Sequence, residues 1–287
     1  MPILGKIRSA AGLCLFMALG AGLSSSANEP SASWPAGEGT ELGHRGDAGG
    51  LPMGIEPSGV VWHPAFEALV VVGDGGTVSR FDTDGRSWTT FRPGGDLESV
   101  ALGDPRTPLV YLGSESPNAI VEFDASKGVL TGAEWDLTPF MGGGENRGLE
   151  ALTNHAGLFY AGQQASGRIY VFELSSGGKV KLVRVISPSP ERADLSGLHF
   201  DPRTQVLFAL YDGGNLIRQM TADGSVLREH GVPGRDQEGL AVITDCSRGQ
   251  ATIFIAQDSG EVFSYAGYPV TCSRGDEESS SRSAGGN

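Results

Sequence analysis

The chain has 287 residues, a formal net charge of −13 and 44 glycines. Such acidity disfavours nucleic acid and anionic membranes as partners and suits cation binding or plain solubility. Glycine is about twice its average share, and short runs of Val, Ile, Phe and Tyr lie between Gly, Asp, Asn and Pro, which points to an all-β fold.

At the N-terminus, Lys6 and Arg8 precede an apolar stretch from Ala10 to Leu23, and Ser25 and Ala27 are spaced like a cleavage site. Residues 1–27 therefore read as a secretory signal peptide cut near Ala27. The apolar run is shorter than the roughly 20 residues a spanning helix needs, so no membrane span is expected after cleavage. Cys14 follows Gly12-Leu13 too early to be a lipoprotein cysteine. Losing Lys6 and Arg8 takes the net charge from −13 to −15. The expected location is periplasmic or secreted.

Residues 28–50, rich in Gly, Ser, Ala and Glu, read as a flexible linker, and 273–287 as a disordered tail. Both hold an RGD triplet, at 45–47 and 274–276, which a Gly- and charge-rich chain produces by chance.

Between them, over 51–272, a motif recurs five times: EPSGVVW from Glu56, DLESVAL from Asp96, GLEALT from Gly148, DLSGLHF from Asp194 and DQEGLAV from Asp236. Its small residue falls at Gly59, Ser99, Ala151, Gly197 and Gly239, in steps of 40, 52, 46 and 42 residues. That period is one propeller blade, a unit that cannot bury its own faces and must stack on its neighbours. The first repeat shows the plan: GVVWH, a turn, ALVVVG, a turn at Asp74 to Gly76, TVSRFD, a DG turn and SWTTF. The expected fold is a five-bladed β-propeller with four-stranded antiparallel blades around a central channel.

Up-and-down strand order puts the motif and the second-to-third turn of each blade on one face. There the motifs bring Ser58, Glu98, Glu150, Ser196 and Glu238, and the turns bring Asp74, Glu115, Gln163, Asp212 and Asp258. Three glutamates converging on a narrow channel repel one another unless something positive sits among them. A hard divalent cation is the economical counter-charge, with calcium fitting an oxygen donor set. Glu98, Glu150 and Glu238 are the candidate metal ligands, with Glu115, Asp212 and Asp258 behind them. The alternative is that these acids hydrogen-bond neighbouring blade backbones or hold water.

Zinc fits less well, because His44, His63, His155, His199 and His230 show no paired spacing. His63 and His199 read as packing or turn residues, and Trp62, Trp88, Trp135 and Tyr160 as blade core. No GxSxG elbow or phosphate loop is present, so no catalytic residue is assigned. The insertion Glu134 to Asn146 lies beside the same mouth, where long loops carry specificity. With Cys14 removed, Cys246 and Cys272 remain as an even pair in an oxidising compartment and are expected to form a structural disulfide. Cys246 falls in the first-to-second turn of the last repeat, and Cys272 is placed at the start of its outer strand.

The motif series, in the order Ser, Glu, Glu, Ser, Glu with DPRT after the fourth copy, resembles the SdiA-regulated family of exported bacterial β-propellers, distantly similar to NHL-repeat propellers. The likeness runs from about Leu51 to Tyr268. It implies five blades, a calcium site to which Glu98, Glu150 and Glu238 correspond, and no established activity. Gln163 departs from the family's acidic turns, and the strand before the first motif is poorly marked in LGHRGDAGG. Two functions follow. One is a monomeric calcium-binding module for an unknown protein or small-molecule ligand at the channel face. The other is a metal-dependent hydrolase, lactonase-, phytase- or esterase-like, using the metal at the mouth.

Overall fold

The computed structural model describes residues 32–42, 55–85, 88–142 and 147–273. The leader, both RGD triplets and nearly all of the tail lie outside them. The first blade comprises β2 (Pro57–His63), β3 (Ala68–Gly73), β4 (Thr77–Asp82) and β5 (Trp88–Phe91). The second runs β6 (Leu97–Leu102), β7 (Leu109–Ser114), β8 (Ala119–Asp124) and β9 (Val129–Asp136), and is followed by the short helix α1 (Thr138–Met141). The third holds β10 (Leu149–His155), β11 (Leu158–Gln163), β12 (Ile169–Ser175) and β13 (Lys179–Ile186). The fourth holds β14 (Leu195–Asp201), β15 (Val206–Tyr211), β16 (Leu216–Met220) and β17 (Val226–Gly231). Each is a four-stranded sheet in chain order, with every strand pair antiparallel.

The last blade departs from that order. Its inner three strands are β18 (Gln237–Asp245), β19 (Gln250–Gln257) and β20 (Val262–Pro269), but its outermost strand is β1 (Thr40–Leu42). Thr40 pairs with Ser264 and Leu42 with Val262. So the stretch that composition marks as a linker supplies the closing strand, and Ala32 also bridges to His230. Three residues flanked by glycine carry too little β pattern to stand out. What fixes them is the free edge of β20 and a slot for Leu42, which is 5% exposed.

Burial follows position in the blade. All six residues of β3 are buried, as a strand covered on both faces should be, whereas β13 is mostly exposed along its outer edge. The apolar core is split into five clusters, each filling the gap between two adjacent blades. One joins Val61, Val70 and Val72 to Leu97, Val110 and Phe123. Another joins Leu42, Phe254 and Val262 of the last blade to Val60, Leu69 and Phe81 of the first, which closes the ring. Trp88 stacks on Phe81 with centroids 3.9 Å apart, and Trp135 donates to the Ser175 carbonyl, so both serve packing.

At the hub the inner strands approach closely enough to decide residue size. A Cβ on Gly239 would sit 2.8 Å from the Gly59 Cα, and one on Gly59 would sit 2.8 Å from the Ser99 Cα. The small residue of each motif is therefore an axial packing requirement.

The Cys246–Cys272 disulfide is formed. Cys246 lies in the β18–β19 turn, as expected, but Cys272 follows β20 and starts no outer strand, because β1 already occupies that edge. Closure by β1 gives a measurable expectation. Leu42→Ala should cost about 2–4 kcal/mol through the cavity it leaves, read as a lowered urea midpoint with an unchanged m-value.

Candidate metal centre at the acidic channel mouth

Every inner strand carries a register shift at one place: between Pro57 and Gly59, Leu97 and Ser99, Leu149 and Ala151, Leu195 and Gly197, and Gln237 and Gly239. The residue skipped is Ser58, Glu98, Glu150, Ser196 or Glu238. A bulge leaves one residue out of the ladder and re-aims its side chain, which is how each blade can offer a polar group to the axis. Below these groups the channel narrows to a cavity of about 10 Å³, lined in part by Ser58, Glu150, Ser196 and Glu238. That is room for about one water.

The second-to-third turns meet the motifs on the same face. The backbone amide of Glu115 donates to the Asp96 carbonyl, that of Asp212 to Asp194 and that of Asp258 to Asp236, while the Asp74 amide donates to Ser58 Oγ. Two turn carboxylates also reach the next blade. Glu115 accepts from the Gly148 amide and Asp212 Oδ1 from the Gln237 amide, at 3.0 Å. These acids therefore tie blades together through backbone, as one of the two sequence readings held.

Ligand atoms of Asp96, Glu98 and Glu115 all lie within 4.8 Å of one another, close enough for one divalent cation to bind all three. The set draws on the motif of the second blade and on its second-to-third turn. Glu150 and Glu238 do not join it at that distance among the described residues, nor do Asp212 and Asp258. They act on it through charge. Burial first, then the charges of Glu150, Asp96 and Glu115, push the Glu98 carboxyl up to about 9. Burial, then Glu115 and Glu238, raise Glu150 to about 8. Burial, then Asp212, Asp258 and Glu98, raise Glu238 to about 8. Asp212 and Asp258 are raised as well, chiefly by burial. The charges that act most strongly on Glu98, Glu150 and Glu238 are all other carboxylates.

Asp96 is the member that spacing missed. Its signal was present two residues before the bulge, where Asp194 and Asp236 stand in the fourth and fifth blades. Gln163, the turn without an acid, has a different task. Its amide nitrogen donates to the carbonyls of Met141 (2.6 Å) and Gly142 (2.9 Å), while Ser166 Oγ donates to its oxygen. It anchors the end of α1 beside the mouth; of the expected insertion Glu134 to Asn146, Glu134–Asp136 belong to β9 and 143–146 lie outside the described residues. A carboxylate could not donate those bonds.

Comparison with known proteins adds the fold. No family model matches the chain, and no curated protein does. The resemblance to the SdiA-regulated family thus gains no support beyond the five-bladed architecture. Among solved structures, the chain is similar to Myxococcus xanthus glutaminyl cyclase at a TM-score of 0.58 and 14% identity, covering 79% of this chain and 93% of that one. At that identity the likeness concerns architecture alone.

The electrostatics set a sign. Carboxyls whose folded pKa is raised contribute stability at low pH that is lost as pH climbs through the folded value. Without added cation, melting temperature should fall progressively from about pH 5 to about pH 9, and a millimolar divalent cation should remove most of the fall above neutrality. Glu150→Gln should flatten the cation-free slope and shrink the cation-induced rise in melting temperature; a slope equal to that of the unaltered chain would contradict the assignment. Gln163→Glu should release the insertion, seen as faster proteolysis next to Met141.

Proposed function

We propose that the chain is an exported, monomeric propeller that holds a hard divalent cation, calcium by preference, at its acidic mouth and uses it to hydrolyse an ester, lactone or phosphate ester. The observation that carries this reading is the convergence of Asp96, Glu98 and Glu115 within 4.8 Å, where the charges acting most strongly on Glu98 are other carboxylates. An all-oxygen donor set is the kind calcium takes, and none of the three is a histidine or cysteine that would favour zinc.

Bound there, the cation would polarise a carbonyl or phosphoryl oxygen and acidify a coordinated water. The chain supplies the rest. Glu150 and Glu238, raised to about 8, hold or give up a proton near neutral pH, as a general acid or base must. Met141 and Gly142, which Gln163 holds at the mouth, would help to select substrate. The similar solved structure is called a cyclase, which supports the view that this architecture can carry an active site.

A second reading rests on the bonds from Glu115 to Gly148 and from Asp212 to Gln237. In it the cation only fastens blades together and the propeller binds a ligand without turnover. One experiment separates the two: lactone, aryl-ester and phosphate-ester substrates assayed with calcium, manganese or zinc, alongside melting with and without chelator. The hydrolase reading expects turnover that chelator abolishes and that Glu98→Gln lowers by about 100-fold or more in kcat/KM. Flat rates with cation-dependent melting would leave the binding module. Flat rates and no cation effect would remove both.

A further inference from the structure

We propose that the channel mouth opposite the acids is a separate binding site for an uncharged, largely apolar small molecule that carries one hydrogen-bonding group at its edge. The inner strands end there around a cavity of about 490 Å³, inside the roughly 300–1,000 Å³ range of small-molecule sites. Trp62, Leu102, Phe200 and Ile243 supply apolar wall from four blades, and two imidazoles, His155 and His199, supply polar edge.

The charged groups at this mouth are already engaged. Asp201 accepts from the Arg203 amide, from Thr204 Oγ1 and from Thr244 Oγ1, and the Arg203 guanidinium donates to the Thr244 carbonyl. Both residues pair through backbone in their ladders, but among the described residues neither imidazole makes a hydrogen bond. His155 is held by its face instead, stacked on Phe200 with centroids 3.6 Å apart. Burial pushes the His155 imidazole down, and burial against the opposing pull of Asp201 takes His199 to about 4. Both are neutral at pH 7. What the cavity offers is therefore apolar surface with hydrogen-bonding nitrogens, its one carboxylate and one guanidinium being turned to hydrogen bonds within the rim, and that defines the ligand class.

The rim is also fixed before any ligand arrives. Ser273 donates through both its amide and its hydroxyl to the Arg203 carbonyl, each at 2.9 Å, and the disulfide fastens the neighbouring Cys272 to the β18–β19 turn. Preorganised walls reduce the ordering cost of binding. The site is independent of the metal centre, since Glu98 and the cavity-lining Leu102 stand four residues apart on β6, roughly 13 Å along an extended strand.

The test is titration of the full chain with N-phenylnaphthylamine, an uncharged apolar fluorophore. A saturable, one-to-one rise in fluorescence is expected. Ile243→Asp should weaken it at least tenfold, His155→Ala should weaken it measurably, and Glu98→Gln or added calcium should leave it unchanged. His155 is only half-buried, so His155→Ala decides the matter if Ile243→Asp fails to fold. Absence of saturable binding, the same affinity in every folded pocket variant, or equal loss on Glu98→Gln would overturn the proposal.

Discussion

The structure depends on the crowding of five strands around one axis. Where they converge there is no room for a side chain larger than that of Gly, Ser or Ala, as the contacts a Cβ would make at Gly59 and Gly239 show. The residue just before each small one is displaced from the ladder by a bulge and turns toward the channel. Packing at the hub and chemistry at the mouth are thus two results of a single steric constraint. This is why the polar residue and the small residue always travel together in the repeat.

Crowding carries an electrostatic cost. Glu98, Glu150 and Glu238 are brought together with Asp96 and Glu115, and burial with mutual repulsion holds their protons on well above the ordinary carboxylate range. Part of the acidity is used by the backbone, since Glu115 and Asp212 accept amide hydrogen bonds from the following blade. The remainder is a concentrated negative field at one end of the axis. At the other end, charged side chains are matched to local partners, and the two faces of one ring therefore suit ligands of opposite kinds.

Much of the fold was legible because a blade writes its period into the chain. The motif gave the blade number, the inner strands and the face they share, and turn chemistry gave most strand boundaries. The closing strand was not legible. Thr40–Leu42 is three residues long and is selected by the edge of β20, a partner more than 200 residues away. The same limit applies at the site. Repeat phase finds residues at equivalent positions, so it ranked Glu98, Glu150 and Glu238 together. Proximity within one blade is what unites Asp96, Glu98 and Glu115, and that depends on how a turn folds over a bulge. Gln163 looked like a missing acid until the insertion supplied two carbonyls for its amide.

Because the fifth sheet joins one strand from the early part of the chain, β1, to three from the late part, β18 to β20, it cannot be completed until β20 has been made. Pairing Thr40 with Ser264 joins segments more than 200 residues apart, and such non-local pairing is slow because loop entropy is lost before the contacts repay it. Four sheets draw all their strands from consecutive chain, whereas the apolar gap between Val60 and Phe254 is filled only by the first and last blades together. Connectivity thus makes the mouth a property of the closed circle, so a ligand that needs the whole circle also reports that the circle is finished.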